Sequence, residues 1–244
     1  MNQIKLSKKK KLQIFPLGDI HIGSPQCNYE FLEKWKEVFK GTKSEKRIYL
    51  QGDLLDCAKK SLSNSSYKQT MSVDEQIEYF IKFIKPFKKY INGMVIGNHE
   101  ARIKKEFDLD IMKIIAESLN IEYANQLYHK YHINDLEYSV FSIHSTKVSS
   151  QPHLMLGTAL RSMKHIDANL YMYGHCHQGN HIKTYDVGFD GYNERTTVLT
   201  GSFLSYKGSY AEEGNYAPFP STFPVISIGS DLTTDVKHYK SNKL

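Results

Sequence analysis

The sequence predicts an α/β sandwich: two stacked β-sheets of mixed strand direction, flanked by helices. Three observations carry this. The first half of the chain alternates short apolar runs with stretches of helical period, in a βαβαβ-like order. The second half consists mostly of strand-length runs. No internal repeat and no linker divides the 244 residues, which are enough for one large domain with a buried core, so 1–244 reads as a single domain.

Taken in order, residues 1–11 read as a basic N-terminal tail, with lysines from Lys8 to Lys11 that are either solvated or in contact with nucleic acid. Lys11 to Leu17 is a strand that ends at Gly18-Asp19. Asn28 to Lys40 is a helix, because Phe31, Leu32, Trp35, Val38 and Phe39 recur at helical spacing; Gly41 and the charged stretch after it stop it. Arg47 to Gln51 is a second strand, ending at Gly52-Asp53. Ala58 to Met71 has little periodicity and reads as a loop, placed where a lid or substrate contact could sit.

Ser72 with Glu75 three residues on is a capping-box pattern, and Ile77, Phe80, Ile81 and Ile84 give the helix behind it an apolar stripe. Pro86 kinks or ends that helix. Asn92-Gly93 reads as a turn before a third strand, Met94 to Ile96, which runs into Gly97-Asn98-His99-Glu100. Asp108 is positioned to cap a helix to Leu119, with Leu109, Met112, Ile115, Ala116 and Leu119 facing inward.

Beyond that point strands dominate. Leu127 to Ile133 and Glu137 to Ile143 are joined by a turn at Asn134-Asp135, and the second ends at His144. Leu154 to Ile166 is a helix. Asn169 to Tyr173 is a strand ending at Gly174-His175-Cys176-His177. Ile182 to Val187, Thr196 to Thr200, Pro224 to Ile228 and Val236 to Tyr239 complete the strands. The segment 201–222, rich in Gly, Ser, Tyr and Pro, reads as a long ordered loop.

The composition, 40% hydrophobic and 24% charged, is that of a soluble globular chain. No apolar run reaches the roughly 18–20 residues that span a bilayer, and the start lacks a signal-peptide pattern, so no membrane partner is expected. The net charge of +6 fits an anionic substrate. Cys27, Cys57 and Cys176 are odd in number and far apart, which reads as reduced thiols in a cytoplasmic protein.

Five clusters of metal-ligand residue types follow apolar runs in order: Asp19-x-His21, Gly52-Asp53-x-x-Asp56, Asn98-His99, His144, and His175-x-His177. Each has an ordinary reading on its own. Asp19-x-His21 could be a polar turn, and so could Gly52-Asp53; Asn98 could sit in a turn and His99 on the surface; His144 could be a satisfied buried histidine. The paired histidines at 175 and 177 are hard to explain as packing and suit a metal. Residues two apart on an extended segment share a side, which is what two ligands on one ion need. Five such clusters at strand ends together point to a dinuclear metal site, because loops beyond strand ends are where layered α/β folds bind ligands.

This ordered set, D-x-H, GDxxD, GNHE, a lone His and GHxH, resembles the calcineurin-like metallophosphoesterase superfamily, and its spread from Asp19 to His177 covers most of the chain. The resemblance implies a four-layer fold, two mixed sheets between helices. It also implies that Asp19, His21 and His177 bind one ion, that Asn98, His144 and His175 bind the other, and that Asp53 bridges both. Oxygen and nitrogen ligands without thiolate suit Mn²⁺ first, with Fe, Zn²⁺ or Mg²⁺ as alternatives. Two ions about 3.5–4 Å apart would polarise phosphate oxygens and hold a bridging hydroxide that attacks phosphorus. His99 is the candidate general acid, and by resemblance Asp56 would hydrogen-bond it and favour its imidazolium. Arg102 either contacts phosphate or is a surface arginine; Glu100 is either structural or positions the loop of His99.

The substrate is less legible. After Asp56 come Cys57 and Ala58 rather than Arg-Gly, which departs from the protein-phosphatase pattern, and Asp56 stands where repair nucleases usually have His. GNHEAR, with Thr200-Gly201-Ser202-Phe203-Leu204 and the segment after it, is similar to compact phage and prophage phosphoesterases. The reading is therefore a phosphodiesterase acting on nucleic acid or a nucleotide, with Tyr206, Tyr210 and Tyr216 either stacking on bases or packing the loop. A phosphomonoesterase for nucleotides or phosphoproteins is the alternative. A non-catalytic scaffold of the same fold is a third reading, against which all seven expected ligands and His99 are present.

Overall fold

The computed structural model describes residues 2–4, 10–58, 68–144, 151–162, 165–188 and 191–242. Six strands form one sheet: β2 (Leu12–Leu17), β3 (Glu45–Leu50), β4 (Ile91–Val95), β5 (Tyr123–Ala124), β11 (Thr222–Ile228) and β12 (Thr234–Lys240), in the order β12-β11-β2-β3-β4-β5. Six more form the other: β1 (Asn2–Ile4), β6 (Gln126–Ile133), β7 (Leu136–His144), β8 (Leu170–Gly174), β9 (Gly179–Gly188) and β10 (Gly191–Thr200), in the order β1-β6-β7-β8-β10-β9. Between the sheets lies one apolar layer, including Ile14, Tyr49, Val95, Tyr131, Val140 and Met172. A second layer, including Phe15, Trp35, Phe80 and Ile115, packs helices α1 (Tyr29–Gly41), α2 (Val73–Ile84) and α4 (Ile111–Leu119) on the outer face of the first sheet. A third layer, around Phe141, Ala159 and Tyr171, seats α5 (Pro152–Ser162) on the other sheet. The result is the four-layer mixed α/β sandwich that the sequence predicts.

Topology positions the site. β2, β3 and β4 run parallel to one another, so Asp19, Asp53 and Asn98 all follow C-terminal strand ends on one edge. β7, β8 and β10 are also mutually parallel, and the Cα register pairs His144 with Gly174. Six strand ends from two sheets therefore open onto a common region.

Local chemistry explains most elements. Asn28 accepts the Phe31 N–H at 3.0 Å and starts α1, which buries Phe31, Leu32, Trp35 and Phe39. The Ser72–Glu75 capping box is formed in both directions. Asn134 adopts φ 57 in the tight β6–β7 turn.

Several expectations are corrected. The buried face of α2 is Gln76, Phe80, Phe83 and Ile84, with Ile77 and Ile81 only partly covered. Gln76 can be buried because its amide is paired: Oε1 accepts the Cys57 N–H at 3.1 Å and Nε2 donates to Met71 O at 3.0 Å. Asn92 and Gly93 are not a turn but lie within β4, where a Cβ on Gly93 would meet Leu127 Cδ1 at 2.7 Å. Asp108 does not begin a helix. It ends α3 (Asn98–Phe107) at φ 54, and Asp110 caps α4 instead, accepting the Lys113 N–H at 3.0 Å. Leu109, between the two helices, is exposed. The tail expected over 1–11 contains β1, which pairs in parallel with β6; the lysines at 8 and 9 lie outside the described residues. The segment 201–222 includes a short helix, α6 (Tyr210–Glu213). Most of the loop expected over 58–71 also lies outside the described residues. Among the described residues no helix is long and apolar enough to cross a membrane.

Candidate metal centre

The backbone of the motifs is unusual before any side chain is considered. Asp19, His21, Asp53, Cys57, His175 and His177 all have φ between 45 and 76. Non-glycine residues rarely occupy this left-handed region, and their clustering marks backbone held in place by its surroundings. The expected extended geometry for Asp19-x-His21 and His175-x-His177 is thus corrected. The strands stop at Leu17 and Gly174, and left-handed turns bring the paired side chains together. The intervening Ile20 and Cys176 are buried, Cys176 in the layer under α5.

The seven expected ligands converge. Asp19, His21 and His177 form one group whose ligand atoms all lie within 4.8 Å of one another, and Asp53, His144 and His175 form another. His177 Nε2 is 3.3 Å from Asp19 Oδ1 and 3.3 Å from His21 Nε2. His144 Nε2 is 3.3 Å from Asp53 Oδ2. Asn98 Oδ1 joins the second group at 3.0 Å from His144 Nε2.

Asn98 closes the second group. Its amide oxygen faces Asp53 Oδ2, His144 Nε2 and His175 Nδ1 at 3.2, 3.0 and 2.8 Å, while its amide nitrogen faces the Arg102 guanidinium at 3.1 Å. Reversing the amide would turn all four contacts into hydrogen bonds. The ligand atoms of Asp53, His144 and His175 converge within 4.8 Å beside this amide, a donor set that could hold a divalent cation. The residues behind them are arranged for the same purpose. His144 Nδ1 donates to the Gln51 carbonyl at 2.8 Å, which fixes the tautomer and leaves Nε2 free to ligate. The His175 backbone N–H donates to Asp19 Oδ2 at 2.9 Å.

Glu100, left ambiguous by sequence, is fully buried and positions a different loop from the one expected. Its carboxylate accepts the backbone N–H groups of Asp53, Leu54 and Leu55 at 3.1, 2.6 and 3.0 Å. Burial and the Asp53 charge nevertheless raise it to about 7. Gly97 is not needed for a sharp turn, since its φ is −90. It is needed for proximity: a Cβ there would lie 2.0 Å from the Asp53 nitrogen. The His99 N–H at the start of α3 donates to Asp53 Oδ1 at 2.9 Å, so a helix N-terminus faces this acidic site.

His99 departs from expectation. Its Nδ1 donates to the Asp56 backbone carbonyl at 2.6 Å, while Asp56 Oδ1 stands 3.7 Å away, so the expected side-chain hydrogen bond is not made. Asp56 Oδ1 is closer to His21 Nδ1, at 3.4 Å. Nor is the imidazolium favoured: burial and the neighbouring His21 hold His99 down at about 4. Burial would also lift Asp53, but His144, His99 and His21 hold it well below the usual carboxylate range. His144 is the reverse. Burial lowers it, yet Asp53 and Asp19 outweigh that and raise it to about 10.

A cleft of about 500 Å³ opens over these groups. Arg102 lines it, together with Ser24 and Gln26 beyond β2, Ala58 and Lys68 from either end of the 58–71 loop, and Gly208 and Glu213 from the 201–222 segment. The 58–71 loop and the 201–222 segment therefore both reach the cleft. Ser24, Gln26, Lys68 and Gln69 were not foreseen, because polar loop residues carry no periodic pattern. Tyr206 donates to the Tyr216 carbonyl at 2.9 Å, which is a loop-packing contact.

A sequence model of the family described as calcineurin-like phosphoesterase matches residues 12–179. No curated protein sequence matches the chain. Among solved structures, the chain is similar to vacuolar protein sorting 29 from Cryptosporidium parvum, at 13% identity and a TM-score of 0.52, over 96% of this chain and 100% of that one. It is also similar to a metallophosphoesterase from Sphaerobacter thermophilus, at 14% identity and a TM-score of 0.45, over 95% of this chain and 89% of that one. The likeness to the first bears on the fold alone.

Proposed function

The chain belongs to the calcineurin-like phosphoesterase family, and from that membership we propose that it is a phosphodiesterase with a dinuclear divalent-metal centre, hydrolysing nucleic acid or a nucleotide. The observation that carries the metal centre is the convergence of ligand atoms, those of Asp19, His21 and His177 in one group and those of Asp53, His144 and His175 in another, each group within 4.8 Å. Asp19, His21 and His177 would hold one ion, Asn98, His144 and His175 the other, and Asp53 would bridge them. Mn²⁺ is the first choice for this oxygen and nitrogen set, with Fe, Zn²⁺ and Mg²⁺ behind it. Ions bound there would supply Lewis acidity toward phosphate oxygens and a nucleophilic water at neutral pH.

The chain's own residues do the rest. His99 Nδ1–H is committed to the Asp56 carbonyl, so Nε2 is the atom available to protonate a leaving oxygen. That requires a charged imidazole, which the anionic phosphoryl group would favour by lifting His99 from about 4. Arg102 stands on the cleft wall beside Asn98, within reach of a phosphate oxygen.

Hydrolysis of bis-p-nitrophenyl phosphate and single-stranded DNA with Mn²⁺ tests the reading, run beside p-nitrophenyl phosphate. Diester cleavage supports it. Cleavage of monoesters alone would replace it with the phosphomonoesterase reading.

A further inference from the structure

We propose that Asp56 serves two histidines with two different groups: its backbone carbonyl orients His99, and its carboxylate is a positioning group for His21. The inference rests on the metal-centre reading above.

A neutral imidazole has one N–H to give. In His99 that N–H is taken by the Asp56 carbonyl at 2.6 Å, and a carbonyl oxygen can only accept. The carboxylate, 3.7 Å from the same nitrogen, has nothing left to orient there. His21 has the opposite need. Its Nε2 points inward, 3.3 Å from His177 Nε2 and 3.9 Å from Asp53 Oδ2, so ligation requires a lone pair on Nε2 and the proton on Nδ1. That Nδ1 is buried and has no hydrogen-bond partner of good geometry among the described residues. Its nearest acceptor is Asp56 Oδ1 at 3.4 Å, which a small rotation would bring into hydrogen-bond range.

The other carboxylate oxygen is already engaged. Gln69 Nε2 donates to Asp56 Oδ2 at 3.1 Å, which orients the group and leaves Oδ1 for His21. Gln69 is itself held close, because the next residue, Thr70, donates its backbone N–H to Gly23 O at 2.9 Å, two residues beyond His21. The arrangement is a carboxylate–histidine pair behind a metal site, which fixes the ring and raises ligand basicity. Asp56 thereby acts on metal affinity, and the proton donor depends on the Asp56 main chain, which substitution leaves in place.

The test is Mn²⁺ titration of the chelator-treated full chain by calorimetry, for wild type, Asp56→Asn and Asp56→Ala. Rates on aryl phosphodiesters of graded leaving-group pKa are measured in parallel at saturating Mn²⁺. Asp56→Ala is expected to weaken one Mn²⁺ site by about 10–100-fold, with Asp56→Asn intermediate, since its amide oxygen still accepts from His21. The leaving-group slope of both variants should equal that of wild type. Unchanged Mn²⁺ affinity, or a slope steepened to that of His99→Ala, overturns the inference. If Asp56→Ala shows no cooperative melt, Asp56→Asn decides by the same two readings. A wild-type chain that takes up no Mn²⁺ overturns the metal-centre reading itself, and the inference with it.

Discussion

Glu100 Oε1 accepts the backbone N–H of Leu54 at 2.6 Å, across 46 residues of sequence. With its bonds to Asp53 and Leu55, the carboxylate holds the turn that carries Asp53. Removing it leaves three N–H groups without an acceptor in a dry site, each costing about 1–3 kcal/mol. Glu100→Ala should destabilise the chain by about 3 kcal/mol or more and lower the melting temperature by roughly 5–15 °C. Glu100→Gln offers one acceptor oxygen and turns an NH₂ toward donors, so it should lie between. Melting curves by circular dichroism check the order; equal stability of all three chains would contradict the role.

Gly97→Ala should be as damaging for a different reason. The new Cβ would sit 2.0 Å from the Asp53 nitrogen and 2.2 Å from its Oδ1. Backbone must move, so the cost should exceed about 2 kcal/mol and Mn²⁺ affinity should fall with it. Parallel melting and Mn²⁺ titration are the check. Retained affinity at wild-type stability would show that this contact can relax.

His99→Ala should keep metal and lose turnover. Its ring is outside the expected ligand set and lines the cleft, with Nδ1 committed to the Asp56 carbonyl. A general acid contributes about 10²–10⁴-fold, and most for poor leaving groups. Rates across a leaving-group series measure this, and an equal loss for every ester would refute proton donation.

The metal-free chain should respond to pH through His144. Its value is raised from 6.5 to about 10, since Asp53 and Asp19 outweigh the effect of burial. A raised folded-state value contributes stability that is complete below about 6.5 and lost as pH climbs toward 10. Melting temperature with chelator present should therefore fall between pH 7 and 10. Mn²⁺ must displace that proton, so Mn²⁺ affinity should rise over the same window. A flat profile for both would contradict the coupling of His144 to Asp53.

The layered fold and the clustering of the candidate ligands were legible in the sequence because both are written in local pattern. Apolar runs of strand length, four ending in Gly-Asp, Gly-Asn or Gly-His and a fifth in His144, place the chemistry at strand ends without any knowledge of the sheet order. What was not legible depends on distance across the fold. Glu100 reads as one of several charged residues in a helix, and only the packed structure shows its carboxylate turned toward the Asp53 loop. Gln76 breaks the apolar stripe of α2 because it caps the Cys57 amide from the other side of a loop. Gly93 resembles a turn residue after Asn92, and is small because β6 presses on it. Asp56 was assigned to His99 by resemblance; the three-dimensional arrangement puts its main chain there and its carboxylate beside His21.

Mn²⁺ titration of the chelator-treated full-length chain, for wild type and Asp53→Ala, tests the central claim most directly. Two ions per chain in wild type, and the loss of both high-affinity sites in Asp53→Ala, is the expected result. A single site, or two sites indifferent to Asp53, would contradict a centre bridged by that carboxylate.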